Sequence, residues 1–177
     1  MTQALENYIK GTVTKQTYDC YTDGSCNNLS PDREGGSAYI VLIDGEEVVR
    51  RSKALFNTTN NRAEMLAIIS AVNFCPVGAD ITIHTDSQYS IYSFLPRKRV
   101  TKETKNADLI HLYRKVAAQK NVRFEWVRGH NGNKYNEIAD QMANGEYKKM
   151  KEQIKTEIAY DRISKEGEEA AEHCGDV

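Results

Sequence analysis

The sequence has no apolar run approaching the roughly 20 residues that span a bilayer, and its mean hydropathy is −0.65. The expectation is a soluble chain with no membrane partner. Met1 to Lys10 lacks the apolar stretch of a secretory signal. Cysteines are few: Cys20, Cys26, Cys75 and Cys174 are irregularly spaced, with no C-x-x-C. That argues for free thiols in a reducing, cytoplasmic compartment and against a metal knuckle. With three prolines, and neither an internal repeat nor a low-complexity tract, nothing marks a linker between two domains. Neither sign of charge is in excess: 24 Lys+Arg stand against 25 Asp+Glu, net −1, with a pI near 6.4. Taken alone, this balance speaks against a nucleic-acid partner, which normally shows as a basic excess. The 177 residues suffice for one domain with a proper core.

What is present changes period along the chain. Alternation from Thr17 through Tyr18, Cys20 and Tyr21 into Thr22-Asp23-Gly24-Ser25 predicts a strand ending in a turn. Ser37 to Asp44 predicts a second strand, Asp44-Gly45 a hairpin, and Glu46 to Leu55 a third. Asn61 to Phe74 then repeats at helical spacing through Ala63, Leu66, Ala67, Ile69 and Ser70, and Cys75-Pro76-Val77-Gly78 stops it. Ala79 to Thr85 predicts a short buried strand, with a helix opening at Asp86-Ser87 and running to about Leu95. Pro96 to Lys105 is a charged loop. A helix is predicted over Asn106 to Gln119, with Leu109, Leu112, Tyr113 and Val116 on one face. Asn121 to Val127 predicts a fifth strand, with Trp126 in the core. Tyr135 to Asn144 predicts a last helix, with Gly145 as its stop. An antiparallel meander followed by alternating helices and strands implies an α/β fold: a five-stranded mixed sheet with helices on its faces. Beyond Gly145, Tyr147, Met150, Ile154 and Ile158 make an amphipathic stripe. Past Ser164 the chain is acidic, and fraying is expected.

Four carboxylates fall in suggestive places. Asp23 ends the first strand, Glu64 sits in the first turn of the first helix, Asp86 ends the fourth strand, and Asp140 lies in the last helix. If strands one and four are neighbours, Asp23 and Asp86 come together. Such a cluster repels itself and raises its own pKa values unless divalent cations neutralise it. Hard oxygen ligands of this kind suit Mg²⁺. Each residue also has an ordinary structural role on offer: a turn at Asp23-Gly24, a capping box for Asn61-x-x-Glu64, an N-cap at Asp86, a solvated helix position for Asp140.

The surroundings decide between these. Tyr21-Thr22-Asp23-Gly24-Ser25-Cys26, Thr58-Thr59-Asn60-Asn61-Arg62-Ala63-Glu64, Thr85-Asp86-Ser87-Gln88-Tyr89, and Gly129-His130-Asn131-Gly132 with Asn136-Glu137-Ile138-Ala139-Asp140 closely resemble ribonuclease H of type 1. The resemblance runs from Tyr18 to Asn144. It implies the ribonuclease H-like fold and an endonuclease that hydrolyses the RNA strand of RNA–DNA hybrids, leaving 3′-hydroxyl and 5′-phosphate ends. It further implies two Mg²⁺ ions, replaceable by Mn²⁺, held by Asp23, Glu64, Asp86 and Asp140, with His130 assisting proton transfer or product departure. Cys26, Asn60, Asn61 and Gln88 match minor-groove contacts, where amides suit a 2′-hydroxyl without reading a base. Thr59 and Asn106 match a pocket for a phosphate of the DNA strand. In the loop after the first strand, Asn28 is carried as the substrate contact, with Asn27 as its alternative.

The expected organisation is an N-terminal extension (1–16, loosely ordered), a catalytic domain (17–147) and a charged, partly helical tail (148–177). Neither end has a counterpart in the family. The tail's stripe is read as an extra helix packing on the domain of a monomer, with a protein contact as the alternative. Several features depart from the family pattern. The loop 26–36 is longer and more charged, Asn57 stands where a basic residue is common, and the Pro96–Lys105 segment lacks the Trp-containing basic protrusion. Arg97, Lys98, Arg99, Lys102 and Lys105 against Glu103 still give that segment +4. A DNA-cutting enzyme of the same fold and a catalytically impaired hybrid-binding module are the rivals. The first sits poorly with the amide set, and the second with four intact carboxylates. The charge balance then reads differently. Residues 1–147 carry 18 basic and 17 acidic side chains, and 148–177 carry six and eight. With four of the acids neutralised by two divalent ions, the first region is about +5, which suits modest, salt-sensitive hybrid binding.

Overall fold

In the computed structural model the described residues are 16–129 and 132–173, with side chains described to residue 157. The extension expected over 1–16, apart from Gln16, lies outside them, as do His130 and the last four residues.

Thr17–Cys26 (β1), Gly35–Ile43 (β2) and Glu46–Leu55 (β3) form the expected antiparallel meander. The β2–β3 turn is Asp44-Gly45, both at positive φ, 50° and 86°, which is the backbone a two-residue hairpin demands and the reason a glycine closes it. β2 is buried along both faces. Tyr39 and Val41 enter one cluster, and Ile40 and Leu42 the other.

Asp80–Thr85 (β4) pairs parallel with β1, and Asn121–Trp126 (β5) parallel with β4, giving the order β3-β2-β1-β4-β5. The parallel pairing needs a crossover, and Asn60–Phe74 (α1) supplies it. Its Met65, Ile68, Ile69 and Val72 pack with Cys20, Val41, Ile81 and Ile83 into the larger core. Gln88–Phe94 (α2) and Ala107–Ala117 (α3) complete that side, with Phe94 stacked on Tyr113. The opposite face is covered by one helix, Lys134–His173 (α4), through Ala139, Ile138 and Met142. Among the described residues, no helix is long and apolar enough to cross a membrane.

The structure corrects several expectations. α4 does not stop at Gly145, nor does it fray at Ser164. Nothing crowds the Gly145 Cβ position, and one glycine costs a helix only about 1 kcal/mol, which its helix-forming neighbours absorb. Tyr147, Met150 and Ile154 are half-buried among exposed Lys148, Lys149, Glu152 and Gln153, so the stripe is present; the Ile158 side chain lies outside the described ones. α1 starts one residue early and is capped by the Thr59 hydroxyl, which accepts from Arg62 N. Glu64 is therefore its fifth residue and takes no part in a capping box. α2 is capped by Ser87, through Ser90 N, and Asp86 is left outside the helix. Leu112 is exposed, and the buried face of α3 is Leu109, Ile110 and Tyr113. Trp126 is not a core residue; it is 52% exposed.

Candidate active site

Strand register brings the first two carboxylates together. Tyr21 pairs with His84 across β1–β4 as the last parallel pair. Asp23, still within β1, and Asp86, just past β4, each lie two residues further on, on the carboxyl-end side of the two strands. That is where open α/β sheets present their ligand crevice. Glu64 reaches the same place because α1 seats directly on β1 at Gly24, where a Cβ would lie 2.1 Å from Glu64 N. Asp140 arrives from the other face of the sheet on α4. Gly129, in the loop after β5, closes over Asp86: a Cβ there would stand 2.6 Å from Asp86 Oδ2.

The electrostatics follow from this crowding. Asp23 is 9% exposed, and its carboxyl is pushed up to about 8, first by burial and then by Asp86 and Asp140. Its Oδ1 accepts from Gly24 N at 2.7 Å, which opposes the rise. Glu64 is also raised, chiefly by burial, with Asp86 adding to it and the Ser87 hydroxyl opposing. Glu64 Oε2 accepts a short bond from Ser87 Oγ, and Oε1 accepts from Asn60 Nδ2 at 3.1 Å. Asp140 Oδ1 accepts from Asn144 Nδ2 at 2.7 Å. The Asp86 carbonyl accepts from Trp126 Nε1 at 3.1 Å, which accounts for the exposed indole: its polar edge is used and its face is left open.

Among the described residues, no three His, Cys, Asp or Glu side chains form a ready-made cage for an ion. Glu64 has both oxygens on protein partners and Asp140 has one. The donor set nevertheless fits a divalent cation. It consists of hard carboxylate oxygens, and a buried carboxyl crowded by two others is what a bound cation would neutralise.

The RNase H family model matches residues 15–148. The chain belongs to the RNase H family. It is 36% identical over 136 residues to Ribonuclease H of Janthinobacterium sp. (strain Marseille), covering 71% of this chain and 92% of that one. It is 38% identical over 140 residues to Ribonuclease H of Herminiimonas arsenicoxydans, covering 71% and 91%. With Ribonuclease H of Orientia tsutsugamushi (strain Boryong), identity is 33% over 158 residues, covering 83% and 92%.

The remaining residues singled out by the RNase H resemblance are held by local contacts of β1, α1 and α3 or are exposed. Cys26 Sγ donates to Thr58 O at 3.4 Å, tying the end of β1 to the entrance of α1. Asn61 and Gln88 are exposed, and Asn60 is half-buried. In the loop after β1, Asn27 is committed to the loop itself, its Nδ2 donating to Glu34 Oε1 at 3.1 Å, while Asn28 is exposed. Asn106 occupies the left-handed region at φ 57° as the residue before α3. Its Oδ1 accepts from Arg62 at 3.2 Å, and its Nδ2 donates to Tyr89 Oη at 2.9 Å. Arg62 also grips both oxygens of Asp108, at 3.0 and 2.7 Å, so α1 and α3 are clamped beside Thr59. His130 lies outside the described residues.

Sequence reasoning missed Arg62, Ser87, Trp126 and Asn144 as site residues. Asn144 had a readable signal, since i and i+4 on a helix face each other. The pairing of Arg62 with Asp108 had none, because it joins two helices that only the fold brings together.

Proposed function

We propose that this chain hydrolyses the RNA strand of RNA–DNA hybrids, at Asp23, Glu64, Asp86 and Asp140, leaving 3′-hydroxyl and 5′-phosphate ends. The observation that carries the reading is the buried Asp23 carboxyl, crowded by Asp86 and Asp140 on the carboxyl-end side of β1 and β4. Two Mg²⁺ ions held there by the four carboxylates would supply a water of lowered pKa and neutralise charge on the entering and departing oxygens of an in-line displacement.

The chain's own groups do the rest. Asp23 would be shared between the two ions, Glu64 and Asp86 would serve the leaving-group side, and Asp140 the side of the attacking water. Ser87 and Asn60 hold the Glu64 carboxylate, and Trp126 holds the Asp86 backbone. Asn28, Asn60, Asn61 and Gln88, with the backbone near Cys26, line the rim where a 2′-hydroxyl would be felt. Amides that donate and accept suit that group and read no base. Thr59 and the clamped Asn106 form the seat for a phosphate of the DNA strand. His130 assists the proton or the product. The expected unit is a cytoplasmic monomer with catalytic residues from 17 to 147 and α4 running on into the charged tail.

The test offers labelled RNA–DNA hybrid, double-stranded RNA and double-stranded DNA with Mg²⁺, Mn²⁺ or EDTA. Cleavage of the hybrid's RNA strand alone, and only with metal, is the expected result. Cutting of double-stranded DNA would move the chain to a DNA-acting role, and hybrid binding without cleavage would make it a binding module.

A further inference from the structure

The feature outside this account is a three-member chain of side chains running from the end of β1 into α4. Ser25 Oγ donates to Asn144 Oδ1 at 2.7 Å, and Asn144 Nδ2 donates to Asp140 Oδ1, also at 2.7 Å. Ser25 lies two residues from Asp23 and is separated from Asn144 by 119 positions.

The contact is built into the packing. Ser25 pairs in register with Gly36 of β2, and at Gly36 the helix touches the sheet: a Cβ there would lie 2.1 Å from Ala143 O and 3.0 Å from Tyr147 N. Ala143 is fully buried. The missing side chain at Gly36 therefore sets both the depth and the rotation of α4, and that rotation turns the next residue, Asn144, toward Ser25.

The direction of the hydrogen bonds is also determined. An ionised Asp140 carboxylate only accepts, so the Asn144 amide must present its NH₂ to it. Its carbonyl oxygen is left for the Ser25 hydroxyl, which must then donate. The carboxylate sets the amide's orientation. The Ser25 hydroxyl, which could serve either end of it, ties its far side to β1 and so holds the Asn144 side chain in place against Asp140.

We propose that Asn144, locked by Ser25, is a positioning residue that fixes the Asp140 carboxylate for divalent-cation binding. This rests on the functional reading above. Residues behind a metal ligand typically matter by about 10–100-fold in affinity or activity when removed.

The test uses the full chain, with Asn144→Leu to remove the donor at similar size and Ser25→Ala to remove only the lock. Cleavage of hybrid is followed as a function of Mg²⁺. Separately, without substrate, Mg²⁺ binding is measured by calorimetry and by the rise in melting temperature that the ion produces. Asn144→Leu should raise the Mg²⁺ concentration for half-maximal cleavage by about tenfold and shrink the Mg²⁺-induced rise in melting temperature. At saturating Mg²⁺ the KM for hybrid should be unchanged. Ser25→Ala should shift the same readouts in the same direction by less, and it carries the test alone if Asn144→Leu does not fold. Parent-like Mg²⁺ binding and Mg²⁺ dependence in a folded Asn144→Leu, or in Ser25→Ala when that variant stands alone, would overturn the proposal. A parent that binds Mg²⁺ but cleaves no hybrid would overturn the functional reading alone, leaving the binding shift to decide this one.

Discussion

Gly24 and Glu64 meet with no room for a side chain between them: a Cβ on Gly24 would lie 2.1 Å from the Glu64 nitrogen and 2.3 Å from the Ala63 carbonyl carbon. Both are backbone atoms, so no rotamer change relieves the clash. Gly24→Ala should push α1 off β1, costing about 3 kcal/mol and separating Glu64 from Asp23. Urea denaturation and hybrid cleavage on the same sample check it, and activity should fall even where the variant remains folded.

Asp23→Asn should abolish cleavage while leaving hybrid binding largely intact. It should also change how stability responds to pH without metal. The folded-state pKa of Asp23, about 8, lies above its ordinary 3.8. The folded form therefore holds a proton that the unfolded chain releases. The resulting stability is fully present below about pH 3.8, declines as pH rises, and is gone above about 8. Melting temperatures in EDTA should fall across that window for the parent, and much less for Asp23→Asn. Near pH 8 the variant should be the more stable of the two. Mg²⁺ should reverse that order, because it binds the ionised form only.

Arg62→Lys keeps the charge and loses the fork that grips both Asp108 oxygens together with Asn106. Asp108 is mostly exposed, so stability should drop by about 1 kcal/mol or less. The larger effect should be on the KM for hybrid, about threefold upward by the loosened Asn106 seat, with kcat little changed. Steady-state kinetics at saturating Mg²⁺ separate the two. Equal loss in kcat would count against the seat.

The cysteines make a separate forecast. Cys20 and Cys75 are buried with their sulfurs 3.8 Å apart, whereas Cys26 is half-buried at the end of β1, its thiol pushed up mainly by burial. In a Cys174→Ser background, an aromatic disulfide reagent should label Cys26 alone in the native protein, faster as pH rises. The other two thiols should appear only on denaturation.

The sheet and the carboxylates were readable in the chain because both follow short-range rules. Side chains alternate along a strand, and the parallel pairing of β1 with β4 sets Asp23 and Asp86 level. β1 does not turn at Asp23-Gly24 as expected, however, and continues to Cys26 in its pairing with β2. What was not readable depended on neighbours far away. Trp126 shares strand parity with Val122 and Phe124, which pack against the core. It is the last residue of β5, and its indole turns to the Asp86 carbonyl instead. Gly145 has the composition of a stop, yet the packing of α4 on β2 carries the helix through it. The caps went to Thr59 and Ser87 over nearby Asn61 and Asp86, a difference of one or two residues that local pattern does not resolve.

The placement of Asp140 has a consequence for how the protein comes into being. Asp23, Glu64 and Asp86 precede it in the chain, and the helix that carries Asp140 is also the only cover for one face of the sheet among the described residues. During synthesis, chains fold as their domain emerges from the ribosome. A nascent polypeptide ending before Lys134 therefore has three of the four carboxylates and an uncovered sheet face. The fourth carboxylate and the lid for that face are delivered together, so a chain that stops short of this helix lacks both at once.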